Sequence, residues 1–294
     1  MFKKIKVFVV DDSALMRKII SDMINTEIEM EVIGTARNGE ELLSKMEGKV
    51  PDIITLDIEM PKMDGISTLK RLKAYNRKVP VIMLSSSSKA STELTMLCLE
   101  LGAFDFVEKP SGPISLDINK VKDELIQKIK FAYNQSQSTT TIPFEKNINK
   151  VSVQKNIEPA LKVVNSSIEA VVIGASTGGP KALYKVITVL PDNIGVPVLV
   201  VQHMPVGFTK AFADRLNLNS KLKVVEACEG ASIEKNVVYI APGGYHMEVG
   251  RDKKIHLNTE PTIWGVRPAV DKLFISATVE IGRASCRERV FAGC

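Results

Sequence analysis

The run Val171-Val-Ile-Gly-Ala-Ser-Thr-Gly-Gly-Pro180 places Ser176 between Gly174 and Gly178 in a Gly-x-Ser-x-Gly spacing. An apolar run rises into it and Pro180 opens a helical stretch, so Ser176 sits at the apex of a strand, sharp turn and helix. A hydroxyl held there can attack a carbonyl, and backbone N–H groups at the helix start can stabilise the oxyanion that forms. The same spacing also suits a plain glycine-rich turn or a phosphate-binding loop. It lacks the Gly-x-Gly pair of a dinucleotide fingerprint and the Gly-Lys-Ser/Thr of a Walker loop. A serine nucleophile needs a base. Of the three histidines, His203 follows the buried-strand pattern 196–201, which would bring it to the same sheet edge as Ser176. His246 lies in Pro-Gly-Gly-Tyr-His and His256 on an alternating, strand-like stretch.

A second constellation lies in the first 125 residues. Apolar strand patterns at 4–10, 53–57, 81–85 and 104–109 end respectively in Asp11-Asp12, Asp57, Ser85 and Lys109. Carboxylates crowded at one edge repel unless a cation neutralises them, and Mg²⁺ is the hard ion that suits carboxylates, a carbonyl and water. A phosphoryl group could then move onto one carboxylate while the metal and the lysine stabilise its oxygens.

Helical periodicity fills the gaps, at 13–26, 39–49, 65–73, 91–101 and 120–131. Alternating strands and helices predict doubly wound parallel sheets with the site at the strand ends. A chain of 294 residues, 45% hydrophobic, can build two cores. The polar tract 134–143 and the unpatterned stretch 147–167 read as a flexible tether holding one domain near the other. The longest apolar run, 196–201, is far too short to span a bilayer, and the start 1–7 has no signal-peptide core, so a cytoplasmic protein is expected. Cys98 and Cys228 form no Cys-x-x-Cys pair and read as reduced thiols. The net charge of +5 is spread along the chain without the paired-helix layout of a DNA reader, so no nucleic-acid partner is expected.

Gly174 to Gly179, Gln202-His-Met-Pro205 with Gly207-Phe-Thr209, Tyr239-Ile-Ala-Pro-Gly243, His246-Met-Glu248 and the run Arg267 to Phe274 resemble the chemotaxis protein-glutamate methylesterase (CheB) family. The resemblance implies a Rossmann-like methylesterase domain with Ser176 as nucleophile and His203 as base. It implies hydrolysis of glutamyl methyl esters, and deamidation of glutamines, on methylated chemoreceptors, with no cofactor for that reaction. The strand-end residues of the first part resemble the response-regulator receiver domain, of flavodoxin-like fold. That resemblance implies Asp57 as phospho-acceptor and Asp11, Asp12, Asp57 and the Glu59 backbone carbonyl as Mg²⁺ ligands. It further implies Ser85 on the phosphoryl group, Lys109 as its ion-pair partner, Phe106 as the aromatic that responds, and a histidine kinase as donor. Together they imply a two-component regulator in which the unphosphorylated receiver restrains the esterase.

The chain departs from the family pattern at one point. The family's third triad acid lies in a later Thr-Gly-Met-Gly-x-Asp-Gly segment that does not occur here. Residues 282–294 continue no visible pattern and read as a non-native tail on a truncated domain. Asp271 is a candidate substitute, although its Arg-Pro-Ala-Val-Asp setting favours a structural or substrate-facing role. The expected layout is a receiver at 1–125, a linker at 126–167 and an incomplete methylesterase domain at 168–281. A chain without its triad acid is expected to be weakly active or inactive. The alternative reading is a non-catalytic response regulator whose second domain is a binding module.

Overall fold

The computed structural model describes residues 4–75, 79–110, 118–137 and 168–281, together with the backbone of 284–288. The N-terminal unit alternates β1 (Ile5–Val10), α1 (Ala14–Asn25), β2 (Met30–Ala36), α2 (Gly39–Lys45), β3 (Ile53–Asp57), α3 (Gly65–Ala74), β4 (Val81–Ser85), α4 (Lys89–Glu100), β5 (Asp105–Glu108) and α5 (Ile118–Gln137). Its strands pair in parallel in the order β2-β1-β3-β4-β5, the flavodoxin-like order. Strands β3 and β4 are buried along their whole length, because helices cover both faces of a parallel sheet. Side-chain oxygens of Ser13, Asn38, Asp64 and Ser88 accept a backbone N–H in the first turns of α1 to α4 and so fix where each helix begins.

The second unit contains β6 (Ala170–Ala175), α6 (Gly179–Ile187), β7 (Val198–Gln202), α7 (Phe208–Asn219), β8 (Lys223–Glu226) and β9 (Val237–Ile240). The hairpin β10 (His246–Val249) and β11 (Ile255–Asn258) follows, then α8 (Val270–Glu280) and β12 (Ala284–Glu288). The second sheet is parallel throughout, in the order β12-β6-β7-β9-β8. Two α/β units with parallel sheets are what the alternation of patterns predicts.

Particular elements differ from the sequence reading. Strand β2 carries no expected pattern, because as an edge strand its interior residues are only half-buried. Helix α5 runs on to Gln137, since Leu125, Ile126, Ile129 and Ala132 keep a buried face beyond residue 125. Within 282–294, residues 284–288 pair in parallel with Ala170 to Gly174. The tether tract from 138 to 167 lies outside the described residues. Among the described residues no helix is long and apolar enough to cross a membrane. Cys98 is buried and Cys228 exposed, both as free thiols, and burial pushes Cys98 up to about 12.

The two units share one apolar cluster, to which α4 and β5 contribute from the N-terminal unit and α6 and α7 from the second. Phe106 of β5 stacks on Phe208 of α7 with ring centroids 4.7 Å apart. Arg215 of α7 pairs with Glu100 of α4.

Candidate active site and phosphoryl site

The register of β6 against β7 ends with Ala175 opposite Gln202, so Ser176 and His203 are the next residues off two adjacent parallel strands. The His203 N–H closes the ladder on the Ala175 carbonyl at 3.2 Å. The turn past Ser176 requires Gly178 in the left-handed region, at φ 70°, before α6 begins with Pro180 in its first turn. This brings Ser176 Oγ within 3.1 Å of His203 Nδ1, a nucleophile–base distance. Burial is the main cause holding the His203 ring below its ordinary value; Asp271 opposes it, and Lys128 from α5 adds to the lowering. The base is therefore neutral, and able to take a proton, at neutral pH.

The other ring nitrogen, Nε2, is sealed from solvent and has no hydrogen-bond partner among the described residues. A buried imidazolium without an acceptor there is costly, and this is the position a triad carboxylate would fill. Asp271 reaches His203 through its field, while its own residue is exposed in the first turn of α8.

The remaining histidines have structural surroundings. His246 is fully buried; its Nδ1 accepts the Ala269 N–H, so its Nε2 proton goes to the Pro261 carbonyl. His256 is exposed between Glu229 and Asp252, each 3.1 Å away.

In the N-terminal unit, Asp11, Asp12 and Asp57 present carboxylate oxygens within 4.8 Å of one another. Arg17 fastens the acidic loop by donating to the Asp11 and Asp12 carbonyls. Lys109 Nζ lies 2.8 Å from Asp11 Oδ2 and 2.7 Å from Asp57 Oδ1. Burial raises Asp57 to about 6 against the pull of Lys109, and the nearby Asp11 carboxylate adds to the rise. Burial opposes charge on Lys109, but the two carboxylates outweigh it and its value is raised. Three oxygen donors, one of them on a fully buried residue, with charge repulsion left to neutralise, fit a hard divalent cation. Glu59 is exposed two residues beyond Asp57, on the loop after β3. Ser85 is fully buried, and its hydroxyl bonds to Thr95 Oγ1 at 2.6 Å and Ser91 Oγ at 3.2 Å on α4. Phe106 is buried at the boundary between the two units rather than standing free at the receiver surface.

Two residues without a sequence-derived role join these sites. Asp105 opens β5, and its Oδ2 accepts the Gly178 N–H at 2.6 Å, beside the nucleophile turn. A Cβ on Gly178 would stand 3.3 Å from Phe131 and 3.4 Å from Phe104, so receiver rings lie over this turn. Lys128 is buried against Asp105 and Glu124. Nothing in a strand pattern marks Asp105, because its partner lies 73 residues away.

The chain is similar to known families and proteins along most of its length. The CheB methylesterase family model matches residues 171–293, and that of the response regulator receiver domain matches 7–119. A protein-glutamate methylesterase/protein-glutamine glutaminase of Clostridium acetobutylicum is 57% identical over 94% of this chain and 77% of its own length. One of Halalkalibacterium halodurans is 48% identical over 95% of this chain and 78% of its own. The crystal structure of the Thermotoga maritima CheB methylesterase catalytic domain is 40% identical, with a TM-score of 0.40, over 44% of this chain and 70% of that one. The serine–histidine pair on one sheet, the acidic edge on the other and relatives matched over most of their length lead to one assignment: this chain belongs to the CheB family of receiver-linked protein-glutamate methylesterases, which are carboxylic ester hydrolases.

Proposed function

We propose that this chain is a phosphorylation-regulated protein-glutamate methylesterase and glutaminase, acting on methylated chemoreceptors in chemotaxis adaptation in the cytoplasm. The observation that carries the reading is the 3.1 Å approach of Ser176 Oγ to His203 Nδ1 at the ends of adjacent strands. Ser176 Oγ attacks the glutamyl ester carbonyl and His203 Nδ1 takes its proton. The tetrahedral intermediate collapses, and the proton passes from His203 to the departing methoxide, releasing methanol. Water, deprotonated by His203, then attacks the acyl-enzyme and returns the glutamate carboxylate and the Ser176 hydroxyl. A glutamine follows the same route with ammonia as leaving group. The His203, Gly178 and Gly179 N–H groups are engaged by Ala175, Asp105 and Ser176, so the oxyanion donor is to be sought first at the Thr177 N–H, directly after the nucleophile.

In the receiver, a partner histidine kinase donates a phosphoryl group to Asp57. Asp11, Asp12, Asp57 and the Glu59 carbonyl would hold Mg²⁺, which neutralises phosphoryl oxygens when bound. Lys109 stands ready to pair with the phosphoryl group, and the Ser85 hydroxyl to exchange its α4 partners for it. Regulation is supported by three contacts: Asp105 on the Gly178 N–H, the Phe106–Phe208 stack and the Glu100–Arg215 pair. Loss of the Ser85–Thr95 bond would free α4, which carries Glu100, and weaken docking.

The alternative, a non-catalytic regulator, draws on His203 Nε2 having no hydrogen-bond partner among the described residues. The test is methanol release from methylated receptor, with and without acetyl phosphate and Mg²⁺. Release that rises with acetyl phosphate, disappears in Ser176→Ala and loses its response in Asp57→Asn is the expected result. Methanol release unaffected by Ser176→Ala overturns the mechanism, and none under any condition favours the binding module.

A further inference from the structure

Strand pairing stops one residue short of the reacting side chains, at Ala175 opposite Gln202. The last main-chain bond between the strands joins the His203 N–H to the Ala175 carbonyl, and beyond it the Gln202 side chain spans the two turns. It is the last residue of β7 and is 2% exposed. Its Nε2 donates to the Ser176 carbonyl at 3.1 Å and to the His203 carbonyl at 2.9 Å. Both amide hydrogens are thus placed on the main chain of the two reacting residues. The Ser176 carbonyl also accepts the Gly179 N–H at 2.7 Å, so two donors hold its peptide plane and, through it, the direction of Oγ.

The other end of the same side chain lacks any such partner. Gln202 Oε1 is sealed from solvent without a hydrogen-bond partner among the described residues. It lies against Gly179, where an added Cβ would come within 1.9 Å of it. In stability the two donated bonds and the orphaned acceptor of this side chain oppose each other, because an unsatisfied buried acceptor costs what a good bond gains. What no other side chain opposes is the geometry the two bonds impose on Ser176 and His203. We propose that Gln202 is a positioning residue, which clamps the nucleophile turn to the base through the carbonyls of Ser176 and His203. The proposal rests on the Ser176–His203 reading above. A displacement of about 1 Å at such a pair can slow a reaction about 100-fold.

The experiment compares the whole chain with its Gln202→Met, Gln202→Asn and Ser176→Ala variants. Methionine keeps the length and removes both donors; asparagine keeps the amide but withdraws it by one methylene. Three quantities are read: the melting temperature, the rate at which a fluorophosphonate probe labels Ser176, and the ¹⁵N signals of the His203 ring, which need no turnover. Gln202→Met removes the orphaned Oε1 but also the donor to the His203 carbonyl, so its melting temperature is expected to change little, while it is labelled at least about tenfold more slowly. Its Nδ1 signal is expected to move as the bond to Ser176 Oγ is lost. Gln202→Asn is expected to show the same two changes, and it decides the matter if the methionine variant does not fold. A purely structural glutamine would lower the melting temperature and leave the ring signals and labelling rate of the folded protein unchanged; that result overturns the proposal. Labelling that persists in Ser176→Ala overturns the nucleophile assignment itself, and is distinguishable because it does not depend on residue 202.

Discussion

At the scale of single residues, the chemistry depends on which protonation state burial favours. The depressed His203 value means that the folded esterase unit binds fewer protons near pH 6 than the unfolded chain does. Its contribution to stability is full above the ordinary histidine value of about 6.5 and is lost as pH falls through the depressed folded value. The share of stability due to His203 is therefore smaller at pH 5 than at pH 7.5, opposite in sign to that of exposed His256, which Asp252 and Glu229 raise, and the His203 ring is expected to titrate below about pH 6.5 in an NMR experiment. A midpoint above that value would contradict the burial of the ring. Ser176, His203, Asp57 and Lys109 were each legible in the sequence because every one ends an apolar strand pattern or follows it within two residues. The orphan state of His203 Nε2 was not, because it depends on what packs around the ring.

At the scale of elements, the contact between α4 and β5 on one side and α6 and α7 on the other sets how firmly the receiver covers the nucleophile turn. The Phe106–Phe208 stack is buried, and such ring pairs contribute about 0.5–1.5 kcal/mol beyond the area they cover. The Glu100–Arg215 pair is partly exposed and screened, so it is held to the lower end of about 0–1 kcal/mol. Phe106→Leu is accordingly expected to raise methanol release without phosphodonor by roughly twofold to tenfold, and Glu100→Gln by less. The reverse ranking in a side-by-side assay would place the main restraint in the ion pair. Strands β1, β3, β4 and β5 were readable as apolar runs because the parallel sheet buries both of their faces. Edge strand β2 and the far end of α5 were not, since partial burial leaves no clean period in the first and a polar surface masks the buried face of the second.

At the scale of the whole molecule, the receiver and the esterase unit meet at the catalytic turn itself. Asp105, with Lys128 behind it, takes the Gly178 N–H, and the Phe104 and Phe131 rings close over the same glycine. On the proposed function, an incoming ester displaces this face and activation separates or shifts the two units. On the same reading, the rate after release depends on His203 Nε2, which has no hydrogen-bond partner among the described residues. Loss of the carboxylate function in a well-studied serine protease, a worked case of the same chemistry, lowers turnover about 10⁴-fold. This chain, fully phosphorylated, is expected to release methanol at least about 10³-fold more slowly than the Clostridium acetobutylicum relative assayed alongside it. Rates within tenfold of each other would show that Asp271 or another acid serves His203 in solution.

The sequence alone determined two parallel α/β units, the serine and histidine of one and the acidic edge of the other. It could do so because strand ends, glycine turns and carboxylate pairs are local patterns, and parallel topology converts them into shared sheet edges. The tertiary structure alone decided that Gln202 joins the carbonyls of Ser176 and His203, that Asp105 caps the nucleophile turn, and that Phe106 meets Phe208. These contacts join residues from different strands and different units. No periodicity encodes them, because they exist only once the two sheets have packed and docked.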